Sequence, residues 1–140
     1  MIWIWRPVFR HGTINFFEGS VLGIENGHAV VDAGPAGKVR AQASDGFFEN
    51  GAPVTVAIRP EKFTLVRERP GVDLNVIGGT MNAAAYLGDR SHFYIDVAGL
   101  EKPVAVATQN ALRSMETTRR DASEVWLTWG DEAAVLLPPE

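Results

Sequence analysis

Two stretches of the chain follow the same pattern, and that pattern limits what the chain can fold into. Val54-Thr-Val-Ala-Ile-Arg-Pro-Glu-Lys-Phe-Thr-Leu-Val66 reads as strand, sharp corner, strand, and so does Val125-Trp-Leu-Thr-Trp-Gly-Asp-Glu-Ala-Ala-Val-Leu-Leu137. Superimposed, Val54, Val56 and Ile58 fall on Val125, Leu127 and Trp129, Glu61 falls on Glu132, and Leu65 and Val66 fall on Leu136 and Leu137. A side-chain period of two fixes which face of a strand is buried, so the shared alternation specifies two copies of one β-module. It places Ile58 and Trp129 in equivalent core positions.

Alternation recurs along the chain. Val39, Ala41 and Ala43 alternate with Lys38, Arg40 and Gln42, and Phe93, Ile95 and Val97 alternate with His92, Tyr94 and Asp96. Turn residues separate the runs at Asn26-Gly27, Gly34-Pro35-Ala36-Gly37, Asn50-Gly51 and Gly88-Asp89. These signals predict strands over 18–24, 28–33, 38–43, 54–59 and 63–67, then 80–86, 92–97, 104–108, 125–129 and 133–137. Five short antiparallel strands per copy is the count of an OB-like barrel, and closure would protect edges that an open sheet exposes.

The predicted architecture is therefore all-β: two OB-like five-stranded barrel modules in tandem. Residues 1–12 form an apolar lead-in, 13–67 the first module, 68–75 a connector and 76–138 the second module. Gly19 aligns with Gly79; Gly19 to Glu61 spans 42 positions and Gly79 to Glu132 spans 53, so the second copy carries 11 extra residues. They fall near 110–123, where Ala-Leu-Arg-Ser-Met-Glu-Thr-Thr-Arg-Arg reads as a short helix or a loop. The opening Met1-Ile-Trp-Ile-Trp-Arg-Pro-Val-Phe9 is too short for a membrane span of about 20 apolar residues and lacks a signal-peptide layout. It reads as a first strand or a tail packed on the domain.

Several functions are disfavoured. A net charge of -4 argues against a general nucleic-acid binder, which needs a basic face. No cysteine is present, so disulfides and thiolate metal sites are excluded. His11, His28 and His92 have no ligand-like spacing. Gly34-Pro-Ala-Gly37-Lys38 has the wrong spacing for a phosphate loop and reads as a turn. No nucleophile elbow or catalytic constellation stands out, and no catalytic, cofactor or metal residue is assigned.

Candidate contact residues lie at corners and on outer faces. Arg59 points away from the Val54–Val56–Ile58 face, Pro60 ends strand pairing, and Glu61 can accept turn amides or pair with an arginine. Asp89 and Arg90 occupy a turn. Trp126 takes the place of Thr55 in the register and should face outward, as a contact surface or packed against the insertion. Phe16-Phe17 and Phe47-Phe48 each put one ring on the outer face if extended.

Ile14-Asn-Phe-Phe-Glu-Gly19-x-Val21, Val56-Ala-Ile-Arg-Pro-Glu61, Tyr86-Leu-Gly88-Asp89 and Val125-Trp-Leu-Thr-Trp129 with Glu132 together resemble the transport-associated OB (TOBE) region at the C-terminus of ABC importer ATPase subunits. The Asn-Phe-Phe-Glu-Gly opening and the tryptophan-bearing late strand are most similar to the spermidine/putrescine branch. The resemblance implies a non-catalytic regulatory domain of a cytoplasmic ATPase, peripheral to the inner membrane. It also implies a homodimer that works with an ATP-binding cassette and a membrane permease. The cassette that precedes the domain in such subunits is not found in these 140 residues, so ATP hydrolysis is not expected. A second resemblance is to stand-alone di-OB proteins that bind molybdate or tungstate. Of their Ser-Ala-Arg-Asn-like opening, Gly12-Thr13-Ile14-Asn15 and Asn75-Val-Ile-Gly78 keep only an asparagine.

Overall fold

Valine, isoleucine and phenylalanine at alternate positions, with glycine at the turns, give ten strands and no α-helix among the described residues of this computed structural model, which are 14–25, 27–42, 49–87, 90–109 and 124–138. The strands are β1 (Asn15–Glu25), β2 (His28–Asp32), β3 (Lys38–Gln42), β4 (Pro53–Ile58), β5 (Thr64–Val66), β6 (Val76–Leu87), β7 (Arg90–Asp96), β8 (Val104–Gln109), β9 (Glu124–Thr128) and β10 (Ala134–Leu137). The lead-in 1–12, Phe47, Phe48 and the 110–123 insertion lie outside the described residues.

The repeat is visible in the backbone. β1 pairs with β4 through its first half and with β2 through its second, and its register shifts between Val21 and Gly23. β6 pairs in the same way with β9 and then β7, with the shift between Met81 and Ala83. Each bulge lets one long strand bend between two sets of neighbours. Gly19 and Gly79 occupy the same niche. A Cβ on Gly19 would meet Asp32 O at 2.4 Å, and one on Gly79 would meet Asp96 O at 2.5 Å. These approaches are too close for any side chain, so the glycines are needed for space.

The two sheets do not follow the two halves of the chain. β1, β2, β3, β10 and β4 make a closed barrel, and β5, β9, β6, β7 and β8 make a second five-stranded sheet. Each lobe therefore takes its fifth strand from the other half. Leu136 of β10 pairs with Val56 of β4, and Leu65 of β5 pairs with Leu127 of β9. Alternation fixes which face of β5 and β10 is buried, but both halves offer the same face, so sequence pattern alone does not choose between them.

Closure also differs. In the first lobe a single parallel pair, Val135 with Gln42, joins β10 to β3. Among the described residues the second sheet has no such pair and ends on β5 and β8. β5 is only three residues long. The β8 edge is covered instead, because the turn Pro60–Lys62 packs against it.

The core runs through both lobes. Val54, Val56, Ile58, Val125, Leu127 and Trp129 are all buried, as the superposition requires. Phe63, which follows the first corner, meets Trp129 edge-on, with ring centroids 5.3 Å apart and planes at 86°. That geometry suits two aromatic quadrupoles and ties the first half to the second lobe.

Candidate functional site

Both corners are short 3-10 turns at which the chain leaves one lobe for the other. Pro60–Lys62 carries it from β4 to β5, and Asp131–Ala133 carries it from β9 to β10. In the first corner proline at the start of the turn presets φ and needs no donor, while Arg59 stays extended at φ -76. Glu61 and Glu132, aligned by sequence, are both exposed on these turns.

A buried asparagine holds each corner. Asn15 donates from Nδ2 to Ala105 O at 2.9 Å and to Ile58 O at 3.2 Å, and its Oδ1 accepts from Ala105 N–H at 2.8 Å. One amide thus joins the end of β4 to β8 of the other lobe. Asn75 is its counterpart. Its Oδ1 accepts from Arg40 N–H at 2.8 Å, its Nδ2 donates to Asp131 Oδ1 at 2.9 Å, and its own N–H donates to Lys38 O at 3.0 Å. Asn75 sits at φ 58, a left-handed conformation that asparagine tolerates better than most residues. The two asparagines are 60 positions apart, as are Gly19 and Gly79.

The second corner is also charged. Asp131 Oδ2 lies 3.5 Å from Arg40 Nη1 and 3.9 Å from His28 Nε2. With Asn75 on the other oxygen, Asp131 ties β2 and β3 to the turn. The first corner carries a loose pair, Arg59 Nη1 to Glu61 Oε2 at 3.9 Å. Both of those side chains are more than half exposed, at 68% and 52%. Such a pair contributes at most about 1 kcal/mol, so both groups remain able to meet another surface.

The sequence-predicted residues occupy separate places. Arg59 and Glu61 share the first corner. Trp126 lies in the middle of β9, opposite Val66 and Gly78. It points outward but is not bare. Its ring lies so close over Gly78 that a Cβ there would meet it at 2.6 Å, and the Arg69 guanidinium stacks 5.1 Å from its centroid. Trp126 is therefore half-buried by its own chain, with a connector residue as its cover. Arg90 opens β7 opposite Gln109, its side chain lying outside those described, and Asp89 falls outside the described residues. Sequence reasoning missed the Asn75–Asp131–Arg40–His28 group. The signal was available, because the Gly19/Gly79 register carries Asn15 onto Asn75.

Among the described residues no group of three or more histidine, cysteine, aspartate or glutamate side chains is placed to hold a metal ion. Thr108 Oγ1 and Trp129 Nε1 are buried without a hydrogen-bond partner among the described residues. In this arrangement the amides of Asn15 and Asn75 and the carboxylate of Asp131 hold strands of the two lobes together.

Comparison with known proteins agrees with this geometry. Residues 56–137 match the TOBE domain family. The putrescine transport ATP-binding protein PotG of Escherichia coli (strain K12) is 31% identical over 127 residues, covering 90% of this chain and 33% of that protein. The spermidine/putrescine import ATP-binding protein PotA of Thermobifida fusca (strain YX) is 27% identical over 127 residues, covering 91% and 32%. The chain thus spans about a third of the length of these relatives. A crystal structure of the cytoplasmic molybdate-binding protein ModG with molybdate bound superimposes with a TM-score of 0.75 at 14% identity, covering 89% of this chain and 96% of that one. At that identity the likeness concerns the fold.

Proposed function

The chain belongs to the TOBE domain family, and from that membership we propose that it is the non-catalytic accessory domain of an ABC-type importer ATPase of the polyamine class. The observation that carries the proposal is the ordered match across about nine-tenths of the chain to ATP-binding proteins of putrescine and spermidine transport. The geometry supports it. Asn15 and Asn75 are spent on joining the lobes, and the corner side chains Arg59 and Glu61 face solvent. Loops held on a rigid scaffold commonly carry contacts, so these residues, with Asp89 and Arg90, are assigned to the surface that meets a cassette or permease. Trp126 joins them only where Arg69 is displaced.

In this reading the domain acts in the cytoplasm beside the inner membrane. No helix among the described residues is long and apolar enough to cross a membrane. Residues 13–67 and 76–138, linked by 68–75, act as one unit because each lobe holds a strand of the other.

A chimaera tests the function. A polyamine-importer ATPase whose own TOBE region is replaced by residues 14–138 is expected to sustain polyamine uptake. The same chimaera carrying Arg59→Ala should fold equally well, within about 0.5 kcal/mol, and show altered transport or altered control. Titration of the chain with molybdate should give no heat. Saturable molybdate binding together with an inactive chimaera would favour the oxyanion-binding alternative.

The family resemblance also implies a homodimer, with two-fold symmetry as the commonest closed arrangement. Sedimentation velocity across a wide concentration range should show a concentration-dependent shift towards twice the mass of 15.2 kDa. A constant monomer value at the highest concentrations would remove the dimer from the proposal.

A further inference from the structure

Equivalent corners feed strands that are not held alike. Asn75 Oδ1 accepts from Arg40 N–H in β3, and Asn15 Oδ1 accepts from Ala105 N–H in β8, so Arg40 and Ala105 are matching positions. Their neighbours agree, since Val30 pairs with Arg40 as Tyr94 pairs with Ala105. Backbone groups on one strand edge recur every second residue, which makes Ala107 the counterpart of Gln42. Leu65 matches Leu136, so Thr64 is the counterpart of Val135. In the first lobe Val135 meets Gln42 and seals the barrel. In the second, Thr64 and Ala107 form no pair among the described residues. β10 thus lies between two strands, β3 and β4, whereas β5 is three residues long and pairs with β9.

The turns differ in the same sense. Asp131 ties the second corner to Asn75, Arg40 and His28. Glu61 pairs with Arg59 of its own turn, a contact that holds the first corner to no other strand. What grips this segment is Phe63 against Trp129, with Arg69 over Trp126 as a clasp beyond β5.

We propose that residues 59–66 are a flap, in which the first corner and β5 swing off β8 and β9 together while both lobes stay folded. Ile58 is the fixed end, because Asn15 Nδ2 holds its carbonyl. Gly71, in the connector, has open space around it and lets the other end turn. Opening breaks the three pairs of β5 with β9 and the contacts Phe63–Trp129 and Arg69–Trp126. It leaves Asn15 on Ala105, Asn75 on β3 and β10 in its barrel. It uncovers the edge of β8, where Ala105 and Ala107 are buried when the flap is closed. Proteins open in such parts at a lower free energy than they unfold, and the easiest parts to open are those with fewest packed neighbours. Arg59 and Glu61 ride on the flap, so a partner that grips them in one state shifts its equilibrium. That last step, unlike the flap itself, rests on the function proposed above.

Amide hydrogen exchange on the full chain, followed by NMR at several urea concentrations, reads the flap directly. The hydrogen-bonded amides of β5 should exchange about a hundredfold faster than those of β7 and β10. Their rates should depend little on urea, because flap opening exposes little surface. Asn75→Gly supplies a second reading. It removes contacts that survive flap opening, so it should speed exchange in β7 and β10 by at least about tenfold and leave β5 within about twofold. Exchange of β5 and β10 at one rate with one urea slope would overturn the proposal. So would equal acceleration of β5 and β10 by Asn75→Gly. Neither outcome bears on the chimaera, which tests the function separately.

Discussion

Cut between residues 70 and 71, neither half of this chain should fold, and the two halves mixed should restore the domain. The first half keeps β1 to β4 but lacks β10, which leaves β3 and β4 as open edges. The second half keeps β6 to β9 but lacks β5, and with it Phe63, the aromatic partner of Trp129. An OB-like barrel missing a strand exposes its core and an unpaired backbone edge, and small domains have little stability to spare, about 5–15 kcal/mol in all. Each fragment alone should give no cooperative thermal transition and should aggregate or self-pair. An equimolar mixture should recover the circular dichroism and cooperative unfolding of the intact chain. Cooperative folding of the first fragment as a monomer would show that the exchange of strands is dispensable.

Removing the Asn15 side chain should destabilise the domain by about 3 kcal/mol, from the roughly 1–3 kcal/mol for each buried backbone group left unpaired. Asn15→Ala strands both Ala105 N–H and Ala105 C=O at a covered sheet edge. Asn75→Ala should be comparably costly, because it strands Arg40 N–H and also places alanine at φ 58. Asn75→Gly separates the two causes. Glycine accepts the backbone conformation, so it should recover about 1 kcal/mol relative to alanine and leave the hydrogen-bond loss in place. Urea unfolding of the three variants decides this, and near-parental stability of Asn15→Ala would mean that water replaces the amide.

Much of the fold is legible in the sequence because its strands are amphipathic and their turns carry glycine. Val54, Val56 and Ile58 align with Val125, Leu127 and Trp129, and all six are buried. The exchange of β5 and β10 is not legible in this way. Leu65 and Leu136 present the same apolar face, so alternation alone is satisfied with either partner. Candidate contacts were legible only as exposed corners. Arg59 and Glu61 are exposed on the first corner, whereas Trp126, read as an outward contact or as packed against the insertion, carries the Arg69 guanidinium over its ring. That cover comes from Arg69 in the connector, a residue with no strand pattern to place it. Asn15 and Asn75 were paired in the sequence only as the asparagines kept from an oxyanion-binding opening; their bracing role depends on Ala105, Arg40 and Asp131, which the fold alone brings to them.

The exchange of strands also sets an order of events during synthesis. The first lobe closes only when Ala134–Leu137 arrives, after all the strands of the second sheet. While the second half is being made, β3 and β4 stand without their shared neighbour. Domains generally complete themselves from the N-terminal side as they are made, but this one cannot. Its nascent chain carries an unsealed first barrel until β10 emerges, although every strand of the second sheet has been made by then.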